Sequence, residues 1–292
     1  MSQETGIRLN KYLASCGVGS RRACDAMILD GKVLVNNGRC DNPATRVSSD
    51  DVVRVGRKIV TPKSSEVVLF YKPPGLVCTT SDELGRETIY HALPHKLRHL
   101  KNVGRLDKES EGLLVMTNDG ELAMQLTHPS MKVQKEYLVT LNQAFANEVI
   151  DQLVQGVHTP EGRARAVSIR RISPRRAVVV LETGLKRQIR HMFDAVHLKV
   201  TRLVRTRIGM LDGSGLEPGK WRYLDAAEIE ALQKNPPSRK IPGDVQRAVR
   251  KRPARKAGIK LARKQAGKTA KKQGQRRSGA RPPKKVFRRR KN

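Results

Sequence analysis

Gly104-Arg105-Leu106-Asp107-Lys108-Glu109-Ser110-Glu111-Gly112 runs directly into the apolar stretch Leu113 to Met116. The pattern is a polar loop closed by glycines that feeds a buried strand. It sets an acidic side chain beside an arginine in a chain whose formal net charge is +32. By its spacing Asp107 is either a reacting carboxylate or a turn cap directed at Ser110. Arg105 lies two residues earlier, on the same side of an extended segment, and can pair with it.

Outward from this loop, strands and helices alternate. Val67 to Tyr71 and Leu113 to Thr117 read as strands, and Asn118 followed by Glu121 reads as an N-cap opening a helix through Leu126. Glu136 to Leu141 is a strand and Glu148 to Val154 a helix. Ala166 to Ile172 and Ala177 to Leu181 form a hairpin around Ser173-Pro174. Arg187 to Val196 is a helix, Val200 to Ile208 a strand, and Asp225 caps a last helix after Trp221 to Leu224. Hairpins outnumber crossovers, so the expected fold class is α+β with a mixed, mainly antiparallel sheet. Neither a phosphate-binding Walker A loop nor a G-x-G-x-x-G turn is present, and no cofactor is expected.

The first 60 residues form a separate pattern. Arg8 to Ser15 is a short amphipathic helix, and Ser20 caps a second helix that stops at Gly31. Strands at Lys32 to Asn36 and Val52 to Val55 follow, with a hairpin turn at Asn37-Gly38. Lys11, Arg21 and Arg22 fall near the junction of the two helices, where guanidinium groups and helix amides can meet phosphate. Thr61 to Ser65 reads as a linker.

The charge is uneven: residues 239 to 292 hold 23 Lys and Arg against the single acid Asp244. Such a block repels itself, has few apolar anchors, and reads as a disordered tail that contacts nucleic acid. The longest apolar runs are strand-sized and the N-terminus lacks the apolar core of a signal peptide, so no membrane association and a cytoplasmic location are expected. Cys16, Cys24, Cys40 and Cys78 lack C-x-x-C spacing and read as small apolar residues or free thiols. His91, His95 and His99 have helical spacing, but Pro94 interrupts the helix and no metal site is expected.

Three stretches resemble the ribosomal-type pseudouridine synthases. They are GRLDKESEG at 104–112, Lys135-Glu136-Tyr137 like the K-x-Y strand, and Gly184 to Arg190 like G-x-x-R-Q-I-R. Tyr71-Lys72-Pro73-Pro74-Gly75 is similar to the family's N-K-P-x-G opening, with Tyr71 where Asn is common. The first 60 residues resemble an S4 RNA-binding domain. The resemblance implies that Asp107 is the nucleophile, that Tyr137 stacks on a flipped uracil, and that Arg190 pairs with the aspartate through a charge-assisted hydrogen bond and aims it. Arg187 would meet RNA phosphate, and Arg105 either pairs with Asp107 or enters the helix stack to displace the target base. Leu203 either lines the uracil pocket or is a plain core leucine.

The domains expected are an S4-like module (1–61), a synthase domain (66–233) and the basic tail (239–292). Together they describe a monomeric enzyme that isomerises a uridine in ribosomal RNA, with the large subunit favoured. Small-subunit RNA and transfer RNA are alternatives, as is an inactive S4 assembly factor. A glycosidase using Asp107 with Glu109 or Glu111 lacks an aromatic sugar platform.

Overall fold

The computed structural model describes residues 6–235, so the basic block at 239–292 lies outside the described residues. The N-terminal module begins with β1 (Ile7–Arg8), α1 (Leu9–Ser15) and α2 (Arg21–Leu29). Ser20 caps α2 by accepting from the Ala23 N–H at 3.2 Å. Strands β2 (Val33–Val35), β3 (Gly38–Cys40), β4 (Arg46–Val47), β5 (Val53–Val55) and β6 (Lys58–Ile59) complete it, with β3-β2-β5-β6 as one small sheet. Val35 pairs with Gly38, so the hairpin turn is Asn36-Asn37, one residue earlier than expected. Both asparagines have positive φ, as a primed turn requires. Leu9, Leu13, Cys24, Ile28, Val33 and Val53 form the core of this module.

The second module is built on a nine-stranded sheet. One part comprises β7 (Val67–Lys72), β8 (Lys101–Val103) and β9 (Glu111–Thr117). Every residue of β7 and β9 is buried, because both faces are covered. Val67, Leu69 and Leu113 pack toward α4 (Gly120–Thr127) on one face. Val68, Phe70 and Leu114 pack toward the short helix α3 (Ile89–Ala92) on the other, as the period of two dictates.

The other part comprises β10 (Lys135–Leu141), β13 (Ser168–Ser173), β14 (Arg176–Leu181) and β15 (Val200–Ile208), with the small hairpin β11 (Val157–Thr159) and β12 (Gly162–Ala164) falling between β10 and β13. It packs on α5 (Asn147–Gln155) and α6 (Gln188–Asp194) through Val139, Leu153, Ile189 and Phe193. Strand β16 (Leu211–Asp212) pairs with β15, and β17 (Trp221–Tyr223) leads into α7 (Ala226–Gln233), which Asp225 and Glu228 close as a capping box. The principal order is β13-β14-β10-β15-β9-β7-β17. All pairings within this sheet are antiparallel except β15 with β9, which is parallel and joins only Val204 to Glu111 and Arg205 to Gly112. The mixed, mainly antiparallel α+β class therefore holds, and its one parallel seam lies at the end of the GRLDKESEG loop.

Two expected details differ. The cap of α4 is Asp119, whose Oδ1 accepts from the N–H groups of Glu121 and Leu122 at 2.8 and 3.1 Å. Asn118 instead accepts from the Glu66 N–H and donates to the Ser64 carbonyl, both at 2.8 Å, tying the linker to the sheet. Helix α6 starts at Gln188, because Arg187 has φ +50 and cannot continue it. Arg187 and Arg190 thus do not share a helix face. Among the described residues no helix is long and apolar enough to cross a membrane.

Candidate active site

The loop carrying Asp107 is held from beneath. After β8, Gly104 turns the chain with φ +70, Leu106 is buried, and the Ser110 N–H donates to the Asp107 carbonyl at 3.0 Å. The Lys72 ammonium, fully buried, donates to the carbonyls of Pro73, Lys108 and Ser110 at 3.1, 3.1 and 2.7 Å. The Gly75 N–H also donates to the Lys108 carbonyl. Burial pushes the Lys72 pKa down, partly offset by Cys78 and the acids Glu109, Asp107 and Glu111. Lys72 stands in the Tyr71 to Gly75 stretch, but its role does not emerge from residue spacing, since two of its three partners lie 36 and 38 positions away.

Gly112 closes the loop at φ +109, and a Cβ there would lie 2.2 Å from the Arg205 carbonyl oxygen. Only glycine lets β9 approach β15 this closely. Beside it Glu111, 3% exposed, accepts from Arg202 Nε and Nη2 at 2.6 and 3.1 Å. That bidentate pair commits Glu111 to fixing the seam and leaves Asp107 as this loop's acid on the cleft, which Asp82, Glu83 and Glu182 also line, with Glu109 exposed.

Asp107 is 30% exposed at its side chain, and Arg190 Nε lies 3.8 Å from its Oδ2. At that distance the two form an ion pair without a hydrogen bond, not the charge-assisted bond expected. Arg190 Nη1 donates instead to the Val200 carbonyl at 2.9 Å, which pins the guanidinium with Nε toward the carboxylate. Burial, then the charge of Arg187, lower the Arg190 pKa, and Asp107 opposes both. Gln188, which resemblance left without a role, accepts from Thr183 Oγ1 and the Leu185 N–H at 3.0 and 3.1 Å and so shapes the turn leading to Arg187.

Asp107 opens on a cleft of about 1390 Å³. Arg105, Lys135, Tyr137, Arg187 and Arg205 line it as well. It exceeds the volume typical of pockets for one small ligand, giving room for a nucleotide and its neighbours. Half-buried Tyr137 stands opposite Arg205 across β10 and β15. Arg105 and Arg187 are exposed on the cleft wall, and Asp107 takes its ion pair from Arg190 instead of Arg105. Arg190 is behind the carboxylate and off the wall. Leu203 is also off the wall, 6% exposed in the core with Val139 and Phe193.

In the N-terminal module Arg21 and Arg22 are exposed in the first turn of α2. Lys11 points elsewhere, its Nζ 2.5 Å from Glu121 Oε1 at the start of α4. Both partners are exposed, so this pair is worth at most about 1 kcal/mol and an RNA phosphate can compete for it. The spaced histidines do not act as a set: His91 Nδ1 takes the Thr88 N–H in the capping box of α3, and His99 faces Glu66 at 3.4 Å. The four cysteines are free, with Cys16 and Cys24 buried.

Comparison with known proteins agrees with this architecture. Residues 66–195 match the family model for RNA pseudouridylate synthase, and residues 7–53 match that for the S4 domain. The ribosomal large subunit pseudouridine synthase B of Pseudomonas aeruginosa is 36% identical over 290 residues, covering 93% of this chain and 74% of that protein. A dual-specificity RNA pseudouridine synthase of Salmonella typhi is 34% identical over 237 residues, covering 80% and 81%. A crystal structure of a pseudouridylate synthase superposes with a TM-score of 0.57 at 27% identity, covering 77% of this chain and 99% of that one. Relatives this similar over this much of both chains show that the protein belongs to the RNA pseudouridylate synthase family, in the branch that carries an S4 domain ahead of its catalytic domain.

Proposed function

We propose that this enzyme isomerises a uridine of large-subunit ribosomal RNA to pseudouridine, as a cytoplasmic monomer. Asp107 is the reacting carboxylate, Arg190 its positioning partner, and Tyr137 the surface against which the flipped base stacks. The reaction breaks the bond from C1′ to the base nitrogen, turns the base and rejoins it through C5. The observation that carries this reading is the convergence on one cleft of Asp107, with Arg190 Nε at 3.8 Å, and Tyr137 from another strand. A merely structural aspartate would have no reason to be half-exposed on a cleft with a buried arginine aimed at it.

Residues 1–61 dock RNA through Arg21, Arg22 and, once released from Glu121, Lys11. Residues 66–233 carry the chemistry with Arg105, Arg187 and the cleft wall holding the strand. Leu203 supports Tyr137 from the core. The large subunit is favoured by the similarity to the ribosomal large subunit pseudouridine synthase B of Pseudomonas aeruginosa. A second RNA target is the alternative that the dual-specificity relative suggests.

The test is release of tritium from C5-labelled uridine in ribosomal RNA of each subunit and in transfer RNA. Label should be released from large-subunit RNA by the wild type and not by Asp107→Asn. No release from any of these RNAs would overturn the assignment.

A further inference from the structure

Two cations with no part in the roles above border the cleft beside Tyr137. Arg205 stands opposite Tyr137 in the sheet and is 5% exposed. Its Nε donates to the Leu113 carbonyl at 2.6 Å, while its Nη2 is buried without a hydrogen-bond partner. Lys135 precedes Tyr137 by two residues on β10, is half-buried, and donates to the Leu126 carbonyl at 3.1 Å. Burial, then the charge of Arg205, push the Lys135 pKa down to about 8, and Glu182 opposes them. Two like charges held close together out of water, one with an unpaired donor, cost free energy in the empty cleft. An electron-rich group between them removes that cost.

The geometry points to a base-anion site, in which Lys135 and Arg205 hold the carbonyl oxygens of the uracil while it is detached from the ribose. This rests on the isomerase reading of the cleft. When the C1′–N1 bond breaks, its electron pair leaves with the base and spreads onto O2 and O4, while C1′ is held by the Asp107 carboxylate. When C5 bonds to C1′ the carboxylate is released; C5 then loses its proton and N1 takes one up. Negative charge on the base is greatest between these steps, and donors placed where charge develops stabilise it most. A backbone phosphate fits less well, because Arg205 is too deeply buried to meet one and Tyr137 reserves the adjoining space for a base.

The test uses full-length wild type, Lys135→Met and Lys135→Arg, with large-subunit RNA transcribed either with uridine or with 5-fluorouridine. Conversion is read by nuclease digestion and chromatography in single turnover at saturating enzyme, beside RNA affinity and thermal melting; for 5-fluorouridine, whose C5 has no proton to lose once bonded to C1′, it is read as loss of the starting nucleoside. Lys135→Met should slow uridine conversion about 100-fold with affinity unchanged. The slowing should shrink to about tenfold for 5-fluorouridine, whose more acidic base needs less help to leave. The wild-type rate should fall as pH rises through about 8 and the Lys135→Arg rate should not, since arginine stays charged. The groups facing Lys135 are Arg205, Glu182 and Tyr137, with Asp107 and Arg187 also on the cleft wall.

Equal slowing with both bases, or weaker RNA binding with an unchanged rate, would overturn the base-anion site and leave the isomerase assignment standing. No conversion of either RNA by the wild type would overturn both. Should Lys135→Met fail to fold, the Lys135→Arg pH profile decides: a fall through about 8 identical to wild type overturns the site.

Discussion

A single buried ammonium determines how firmly Asp107 is held. Lys72 gathers three carbonyls around the loop, so Lys72→Met should cost about 2 kcal/mol, read in urea unfolding, and should slow conversion more than it weakens RNA binding. Arg190→Lys should leave the fold and RNA affinity intact yet slow single-turnover conversion about 100-fold, because lysine cannot both bond the Val200 carbonyl and face Asp107. Asp107, Tyr137 and Arg190 stand out in the sequence as candidates because each lies in a short motif. Lys72, Gln188 and Arg205 were not assigned roles, because what they do depends on carbonyls and side chains brought to them by the fold. The hydrogen bond expected between Arg190 and Asp107 also gave way to an ion pair, since the Val200 carbonyl claims the guanidinium.

Among the elements, the strand Val200–Ile208 matches its sequence reading to the residue, as a run rich in β-branched residues and buried from Leu203 onward should. Ends were harder where neighbouring residues compete for one task. Asn118 and Asp119 both suit an N-cap; the aspartate takes it, and Asn118, able to donate as well as accept, serves the linker. Asp119→Ala should therefore lower stability by about 1 kcal/mol, measured by chemical denaturation. The parallel pairing of β9 with β15 left no local signal, because nothing in either strand names its partner. Gly112 marks it only once the Arg205 backbone is seen against it. Gly112→Ala should cost about 2–4 kcal/mol and slow conversion by shifting the adjoining loop.

At the level of the molecule, most of the net charge lies in residues 239–292, while the docking module places Arg21 and Arg22 at the positive end of a helix dipole. Their local repulsion is relieved when phosphate arrives. Replacing both with Gln should weaken RNA binding and leave the melting temperature unchanged or higher. Deleting 239–292 should reduce affinity and flatten its dependence on salt while leaving single-turnover conversion at saturating enzyme unchanged. The two-module order was readable from the sequence; the join between the two parts of the catalytic sheet was not. That join has a consequence in time. Strands β9 and β15 are neighbours in space but about 90 residues apart in the chain, and such distant pairings form late. During synthesis the RNA-docking module and the Asp107 loop emerge well before the strand that completes the cleft. The enzyme therefore gains its docking module before its reactivity, so an unfinished chain can bind RNA without altering it.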